Sequence, residues 1–140
     1  MPNRSSATVP AHPPLVAQSL DASLTTADVI RSRDWYRDVL GFEVDREFER
    51  DGGVFAVSMR AGSVRILVTQ DNGVRGTDRV KGEGFSLQIT TSQDIDAIAA
   101  AAKQAGAVLD TEPMDAWGVR VFRLRDPDGF RLVFSSPRER

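Results

Sequence analysis

Few side chains in this sequence could act as a nucleophile or bind a transition metal. The 140-residue chain has no cysteine and one histidine, His12, so thiolate nucleophiles, disulfides and cysteine-based zinc sites are excluded. A site with two or three histidines cannot form within one chain, and we expect His12 to be a solvated tail residue. No Gly-x-Ser-x-Gly motif is present, and Gly82-Glu83-Gly84 does not open a helix as a phosphate-binding loop would. An all-carboxylate metal site remains conceivable, although no acidic cluster supports it.

The composition is that of an ordinary single-domain protein. Apolar residues make up 41% and charged residues 27% of the chain, and the formal net charge is -2. This balance argues against a nucleic-acid partner, which favours a basic patch or stripe. No apolar run approaches the roughly 20 residues of a membrane-spanning helix, and the first residues lack the apolar stretch of a signal peptide. These features predict a cytoplasmic protein with no membrane partner.

The chain divides into four segments. Residues 1–14 hold four of the seven prolines, which predicts a disordered N-terminal tail. Residues 70–84 combine glycines with charged residues and show no periodicity, which predicts a flexible connecting loop that serves either as a lid or as a simple linker. Two modules remain, over residues 15–69 and 85–137.

The first module has the pattern of one strand, one helix and three further strands. A strand is predicted over residues 15–26, and Asp28 then caps a helix that Gly41 ends. Turn residues separate the later strands, which are predicted over residues 42–48, 54–59 and 64–69.

The second module repeats this order. A strand is predicted over residues 85–91, and Asp94 caps a helix that Gly106 ends. A short strand over residues 107–111 precedes a hairpin whose alternating strands, 119–124 and 130–135, are joined by the turn Asp126-Pro127-Asp128-Gly129. A repeat of about 65 residues with one supersecondary unit in each half predicts a pseudo-twofold α+β fold. Its two four-stranded sheets would carry helices on their outer faces. Their other faces would form an open barrel-like cup.

Two motifs in this pattern resemble those of the vicinal oxygen chelate superfamily, which includes glyoxalases, bleomycin-resistance proteins and extradiol dioxygenases. The run from Ser32 to Phe42, SRDWYRDVLGF, is similar to the family's S-x-x-F-Y-x-D-x-L-G-F helix. Trp117-Gly118 and the stretch from Arg125 to Phe130 are similar to its closing D-P-D-G hairpin. The resemblance covers residues 15–137. It implies paired β-α-β-β-β modules around a cup, and a homodimer whose cups are built from one chain or shared between two.

The family's metal ligands are not retained. Metal-using members place His, Glu or Gln on four cup-facing strand positions, and aligning the two halves puts these positions at Asp21, Leu67, Leu87 and Val133. Three of them are aliphatic and offer no lone pair, so we expect no metal and no cofactor. A shift of one residue would bring in Gln88 without completing a ligand set.

A cup lined by these aliphatic residues would be largely apolar, with a few polar groups to orient a small molecule. The predicted ligand-binding residues are Trp117, Asp21, Arg65, Leu67, Leu87, Gln88, Arg120 and Val133, with Phe55 and Met114 as possible walls. Trp117 is the first candidate, because the resemblance implies an aromatic residue in this region that stacks on a flat ligand. The alternative is that Trp117 packs under residues 111–115.

Asp21 is the one candidate for catalysis. A carboxylate in an apolar cup either pairs with arginine or has a raised pKa, and a raised pKa would suit a general base. Asp21 could also hold a cationic ligand or lie at a wet dimer interface. Arg65 and Arg120 could pair with it or reach an anionic ligand, although arginines on amphipathic strands are commonly just solvated.

These expectations favour a metal-independent relative of the bleomycin-resistance group that sequesters a small, partly aromatic molecule. The mild net charge of -2 gives little support for bleomycin itself as the ligand. The alternative is an isomerase, lyase or dioxygenase-like enzyme that uses Asp21 as a base or a metal site completed by a partner chain. A third possibility is a structural role, with the cup filled by the protein's own side chains.

Overall fold

The computed structural model describes residues 13–76 and 80–138, and within them the chain forms eight strands and two helices. The predicted order of both modules is confirmed. His12 and residues 1–12 of the predicted tail lie outside the described residues. In chain order the elements are β1 (Ala22–Thr26), α1 (Val29–Leu40), β2 (Glu43–Arg50), β3 (Gly53–Ala61), β4 (Val64–Gln70), β5 (Ser86–Thr90), α2 (Ile95–Gln104), β6 (Leu109–Ala116), β7 (Val119–Arg125) and β8 (Arg131–Pro137).

The strands form two separate sheets of four with the same topology. Their orders are β1-β4-β3-β2 and β5-β8-β7-β6. In each sheet the first strand of the module pairs in parallel with the last, and the remaining pairs are antiparallel. The predicted α+β fold of two repeated modules is therefore confirmed, and the sheets stay open rather than closing into a barrel.

Each helix begins and ends where the sequence predicts. The Asp28 carboxylate accepts a hydrogen bond from the Arg31 N–H, and Gly41 ends α1 with a positive φ of 80°. The Asp94 carboxylate accepts from the N–H groups of Asp96 and Ala97 at the start of α2. Such caps satisfy amide groups that have no partner inside a helix. They therefore set the residue at which each helix begins after its strand.

One hydrophobic core joins the two modules. Both helices contact each other and the strands of their own module. The helix-facing side chains of the two sheets belong to the same buried cluster, which includes Ile66, Val68, Leu132 and Phe134. Because successive strand residues point to opposite faces, the residues between these, such as Leu67 and Val133, point away from the helices. We call these two surfaces the open faces of the first and second sheets.

Hydrogen bonds join the turn between β7 and β8 to α1 of the first module. The buried Asp126 carboxylate accepts hydrogen bonds from Tyr36 Oη at 2.8 Å and from the N–H groups of Asp128 and Phe130, each at 2.9 Å. Burial raises the pKa of Asp126, and these hydrogen bonds to the ionised form oppose the rise. The Asp128 carboxylate in turn accepts hydrogen bonds from Thr26 Oγ1 at 2.6 Å and from the Ala27 N–H at 2.8 Å. The D-P-D-G motif is thus a contact between modules as well as a turn.

Two strands differ in length from their predictions. β1 is shorter than the strand predicted over residues 15–26, because its pairing with β4 starts only at Ala22, opposite Ile66. Leu15 and Leu20, predicted within this strand, are exposed. β6 runs from Leu109 to Ala116, beyond the strand predicted over residues 107–111, and includes Pro113. β6 is an edge strand, where a proline is tolerated because one side of the strand needs no partner.

The connection between the modules lies against the β7–β8 turn. Lys81 Nζ lies 3.3 Å from an Asp71 carboxylate oxygen, and both side chains are largely buried. Gly82 packs directly on Phe130. The part of the connection that the structure describes is therefore anchored at Lys81 and Gly82. In the described part of the chain, neither helix has the length and apolar character to span a membrane.

Candidate functional site

The open face of the second sheet carries a concavity of about 630 Å³. Its centre is Val133 on β8. Gln88 on β5 lies opposite Val133 on one side, and Arg123 on β7 lies opposite it on the other. All the lining residues belong to residues 84–135, and they include Ser86, Gln88, Asp110, Trp117, Val121, Arg123, Arg131, Val133 and Ser135.

Trp117 stands at one end of this concavity and is 93% exposed. It is the first residue of the two-residue turn between β6 and β7, and both it (φ 51°) and Gly118 (φ 78°) have positive φ. This is a type I′ turn, which strongly prefers Asn or Asp at the first position. The exposure contradicts the alternative that Trp117 packs under residues 111–115, which form part of β6.

The polar side of the concavity is basic. Arg123 is half-buried and Arg131 is exposed. Arg131 lies opposite Arg125, which bonds Asp110 through Nε at 3.1 Å. Ser86 and Ser135 add hydroxyl groups on the same face. The arrangement combines an exposed aromatic ring, aliphatic side chains and guanidinium donors, which is the composition of a small-molecule site.

The open face of the first sheet is polar around Leu67. Leu67 lies between Ser23 on β1 and Ser58 on β3. Ser58 Oγ donates a hydrogen bond of 3.3 Å to Asp45. Alternation places Arg65 on the same face as Leu67, while Asp21 precedes β1 and is exposed. Asp21 and the Val133 concavity belong to different sheets.

Two predicted site residues lie on helix-facing sides. Leu87 pairs with Leu132 and packs against the core, so its neighbour Gln88 takes the open-face position that was assigned to Leu87. Arg120 lies in an ion-pair network, with Nε 2.9 Å from Asp96 on α2 and Nη1 3.1 Å from Asp115. The hydrogen bonds that Arg120 donates to these two carboxylates raise its pKa. Neither residue faces Val133.

The two predicted walls do not meet. Met114 on β6 lies opposite Val121, on the open face of the second sheet, and is partly exposed. Phe55 lies on β3 in the first module, and the guanidinium carbon of Arg50 lies 4.1 Å from its ring centroid. Met114 thus lies on the same face as the concavity without lining it, whereas Phe55 is engaged in a local cation–π contact.

The four positions that hold metal in the family do not fit a metal here. Strand pairing places Ser23 beside Leu67 and Gln88 beside Val133. Two of these four side chains are aliphatic, so neither sheet offers a pair of ligands. Among the described residues no three His, Asp or Glu side chains form a cluster that could hold a metal ion.

A larger groove of about 880 Å³ lies between the modules, beside the end of α1 and the start of α2. Its charged side chains already have structural partners: Glu43 pairs with Arg60, Asp38 pairs with Arg37, and Asp94 caps α2. The groove therefore offers no free charge to orient a ligand. The second sheet's concavity has such groups and is the stronger candidate.

A family model described as Glyoxalase/Bleomycin resistance protein/Dioxygenase superfamily matches residues 18–134. No curated protein matches the chain significantly. The match spans both helices and both modules, apart from the last three residues of β8.

Solved structures share this fold at low sequence identity. TioX from Micromonospora sp. ML1 is 23% identical, with a TM-score of 0.68 over 87% of this chain and 100% of its own. TnmS3, an antibiotic binding protein from Streptomyces sp. CB03234, is 19% identical, with a TM-score of 0.69 over 89% of this chain and 100% of its own. A glyoxalase/bleomycin resistance protein/dioxygenase from Nocardioides is 18% identical, with a TM-score of 0.67 over 89% of this chain and 87% of its own.

Proposed function

Because the chain belongs to the Glyoxalase/Bleomycin resistance protein/Dioxygenase superfamily, we propose that it binds and sequesters a small, partly aromatic molecule. The site is the open face of the second sheet, between Trp117 and the Val133 centre. Binding needs no metal, since Leu67 and Val133 occupy positions where metal-using relatives carry ligands. The antibiotic-binding description of TnmS3 supports small-molecule binding as the function. We further propose a cytoplasmic location, which suits a chain without cysteine.

The conformation of Trp117 is the observation that carries this proposal. A bulky L-residue at φ 51° is strained by about 1–2 kcal/mol relative to an ordinary backbone conformation. Its indole is also 93% exposed, so packing within the chain does not repay that strain. A large exposed aromatic ring at the rim of a concavity is typical of a binding anchor.

We also propose that two copies form a homodimer in which the first sheet of one copy covers the second sheet of the other. The core lies between the helix-facing sides of both sheets, so the two open faces of one chain do not enclose a common space. A second copy would bring Leu67 opposite Val133 and enclose the concavity. Sedimentation equilibrium at micromolar concentration should give twice the 15.3 kDa mass of the chain, whereas a monomer over the whole range would contradict the arrangement.

The variant Trp117→Asn tests the ligand proposal. Trp117→Asn should weaken binding of 2-naphthamide, a flat neutral test compound, by about tenfold because the stacking surface is lost. The same change should leave the free energy of unfolding unchanged or raise it by up to about 1 kcal/mol, because Asn adopts positive φ easily. Isothermal titration calorimetry and urea denaturation measure the two quantities.

Trp35 provides the matched control. It is the other tryptophan of the chain and lies half-buried on α1, edge-on to Tyr36 with ring centroids 5.1 Å apart. Trp35→Phe should retain both naphthamide affinity and the ligand-induced quenching of indole fluorescence. Equal affinity in wild type and Trp117→Asn would contradict stacking at Trp117.

A further inference from the structure

We propose that the ligand is an acid, a flat molecule whose carboxylate or phosphate group is held by Arg123 and Arg131. This assignment of ligand class rests on the proposed binding function. It follows from the charges on the open face of the second sheet, which differ in sign from the net charge of -2 of the chain.

Strand pairing gathers three guanidinium groups on one face. Arg125 and Arg131 lie directly opposite each other on β7 and β8. Arg123 is two residues from Arg125 on β7, on the same face, and so lies diagonal to Arg131. Diagonal neighbours on a sheet have Cα atoms about 7–8 Å apart, within reach of long side chains. The guanidinium groups of Arg123 and Arg131 can therefore converge on one small anion.

Carboxylates of the protein neutralise only part of this positive charge. Asp110 pairs with Arg125 at 3.1 Å, and within the described residues neither Arg123 nor Arg131 has a carboxylate within ion-pair distance. The arginines on the helix-facing surfaces contrast with this. Arg33 pairs with Asp34 and Glu47, and Arg120 pairs with Asp96 and Asp115. Arg125 and Arg131 are like charges directly opposite each other on adjacent strands, an arrangement that is destabilising, so an anion that binds at Arg131 reduces a repulsion already present in the free protein.

The surrounding groups suit an acid with an aromatic body. Guanidinium groups bind carboxylate and phosphate oxygens through paired hydrogen bonds. Gln88 and Ser135 flank Val133 and offer further donors, while Val121 and Val133 provide an apolar floor. Trp117 and Arg123 line the same concavity of about 630 Å³, a volume in the range of drug-sized ligands. One molecule can thus place its ring against Trp117 and its acid group at the arginines.

A series of naphthalene compounds separates charge from shape. We expect 2-naphthoate or 2-naphthyl phosphate to bind the wild-type protein at least about tenfold more tightly than 2-naphthamide, because a charge-assisted hydrogen bond is stronger than a neutral one. The cationic 2-naphthylmethylamine should bind more weakly than the amide. The preference for the acid should fall as the salt concentration rises. The ratio of naphthoate to naphthyl phosphate affinity shows which acid group fits better.

Arg131→Gln is the decisive variant, because Arg131 is exposed and its replacement leaves the core intact. Together with Arg123→Gln it should remove most of the acid preference, because naphthoate affinity should fall several-fold more than naphthamide affinity. Arg37→Gln on α1, which removes the same charge from an exposed pair with Asp38, should change neither affinity. Equal affinity for acid and amide, or tighter binding of the amine, would overturn the ligand class and leave the proposed binding function standing. Binding of none of the four compounds would overturn both.

Discussion

Replacing Asp126 with alanine should lower the free energy of unfolding by about 4 kcal/mol, a large part of the stability of a domain of this size. Asp126 accepts three hydrogen bonds, from Tyr36 Oη and from the N–H groups of Asp128 and Phe130. Without the carboxylate, the Tyr36 hydroxyl loses its acceptor in a residue that is fully buried. An unsatisfied buried donor costs its desolvation free energy, and the turn that holds the second module against α1 loses its central acceptor.

Two further variants separate the contributions. Asp126→Asn keeps an oxygen that can accept from both backbone amides, so it should cost less than half as much as Asp126→Ala. Tyr36→Phe removes only the hydroxyl and should cost about 1–2 kcal/mol. Urea denaturation followed by circular dichroism measures all three. A loss below about 1 kcal/mol for Asp126→Ala would show that the turn stays docked without its carboxylate.

Gly82→Ala is expected to cost about 3 kcal/mol. Gly82 has φ +78°, and a Cβ added there would lie 3.0 Å from both Cα and Cδ1 of Phe130. The cost combines a strained backbone with overpacking against a backbone atom that cannot move aside easily. The connection between the modules would shift off the β7–β8 turn, and the nearby Lys81–Asp71 ion pair of 3.3 Å would be disturbed.

Gly84→Ala is the matched control for this prediction. Gly84 has nearly the same backbone conformation, φ +84°, but a Cβ there meets no atom within 4 Å. It should cost about 1 kcal/mol, from the backbone alone. The difference between the two variants in thermal or urea denaturation isolates the contact with Phe130. Equal losses would mean that the connection adjusts freely around residue 82.

Local signals predicted the elements of this fold well. Asp28, Gly41 and Asp94 act at the helix ends as their residue types predict, and the D-P-D-G turn lies between two strands as expected. These signals depend on hydrogen bonds within a few residues, so they can be recognised in the sequence. β6 extends beyond its predicted range of residues 107–111, and the edge position that tolerates Pro113 within it depends on the order of strands in the sheet.

The site was harder to predict because it depends on register. The two halves were aligned at their helix caps, which placed Leu87 on the open face. In the structure the open-face residues lie at different distances from the caps: Asp28 is five positions after Ser23, whereas Asp94 is six positions after Gln88. An odd difference in spacing changes which face a residue occupies. Gln88 and Ser23 thus hold the positions that pair with Val133 and Leu67.

Arg123 and Arg131 were missed for a related reason. Alternation with Phe122 and Leu124 does place Arg123 away from the core, but arginine on such a face is usually only solvated. What distinguishes this pair is the absence of a carboxylate partner among the described residues and the proximity of a third arginine across the strands. Both are consequences of strand pairing, which the sequence does not reveal.

The contacts of the D-P-D-G turn also affect how the chain can fold during synthesis. Thr26 and Tyr36, near the start of the first module, bind Asp128 and Asp126, which follow them by 102 and 90 residues. A ribosome that adds about 5–20 residues per second needs roughly 5–20 s to produce that intervening length. Until then the nascent first module exposes the surface of α1 that the turn covers. The first module can therefore dock against the D-P-D-G turn only after almost the whole of the second module has been translated.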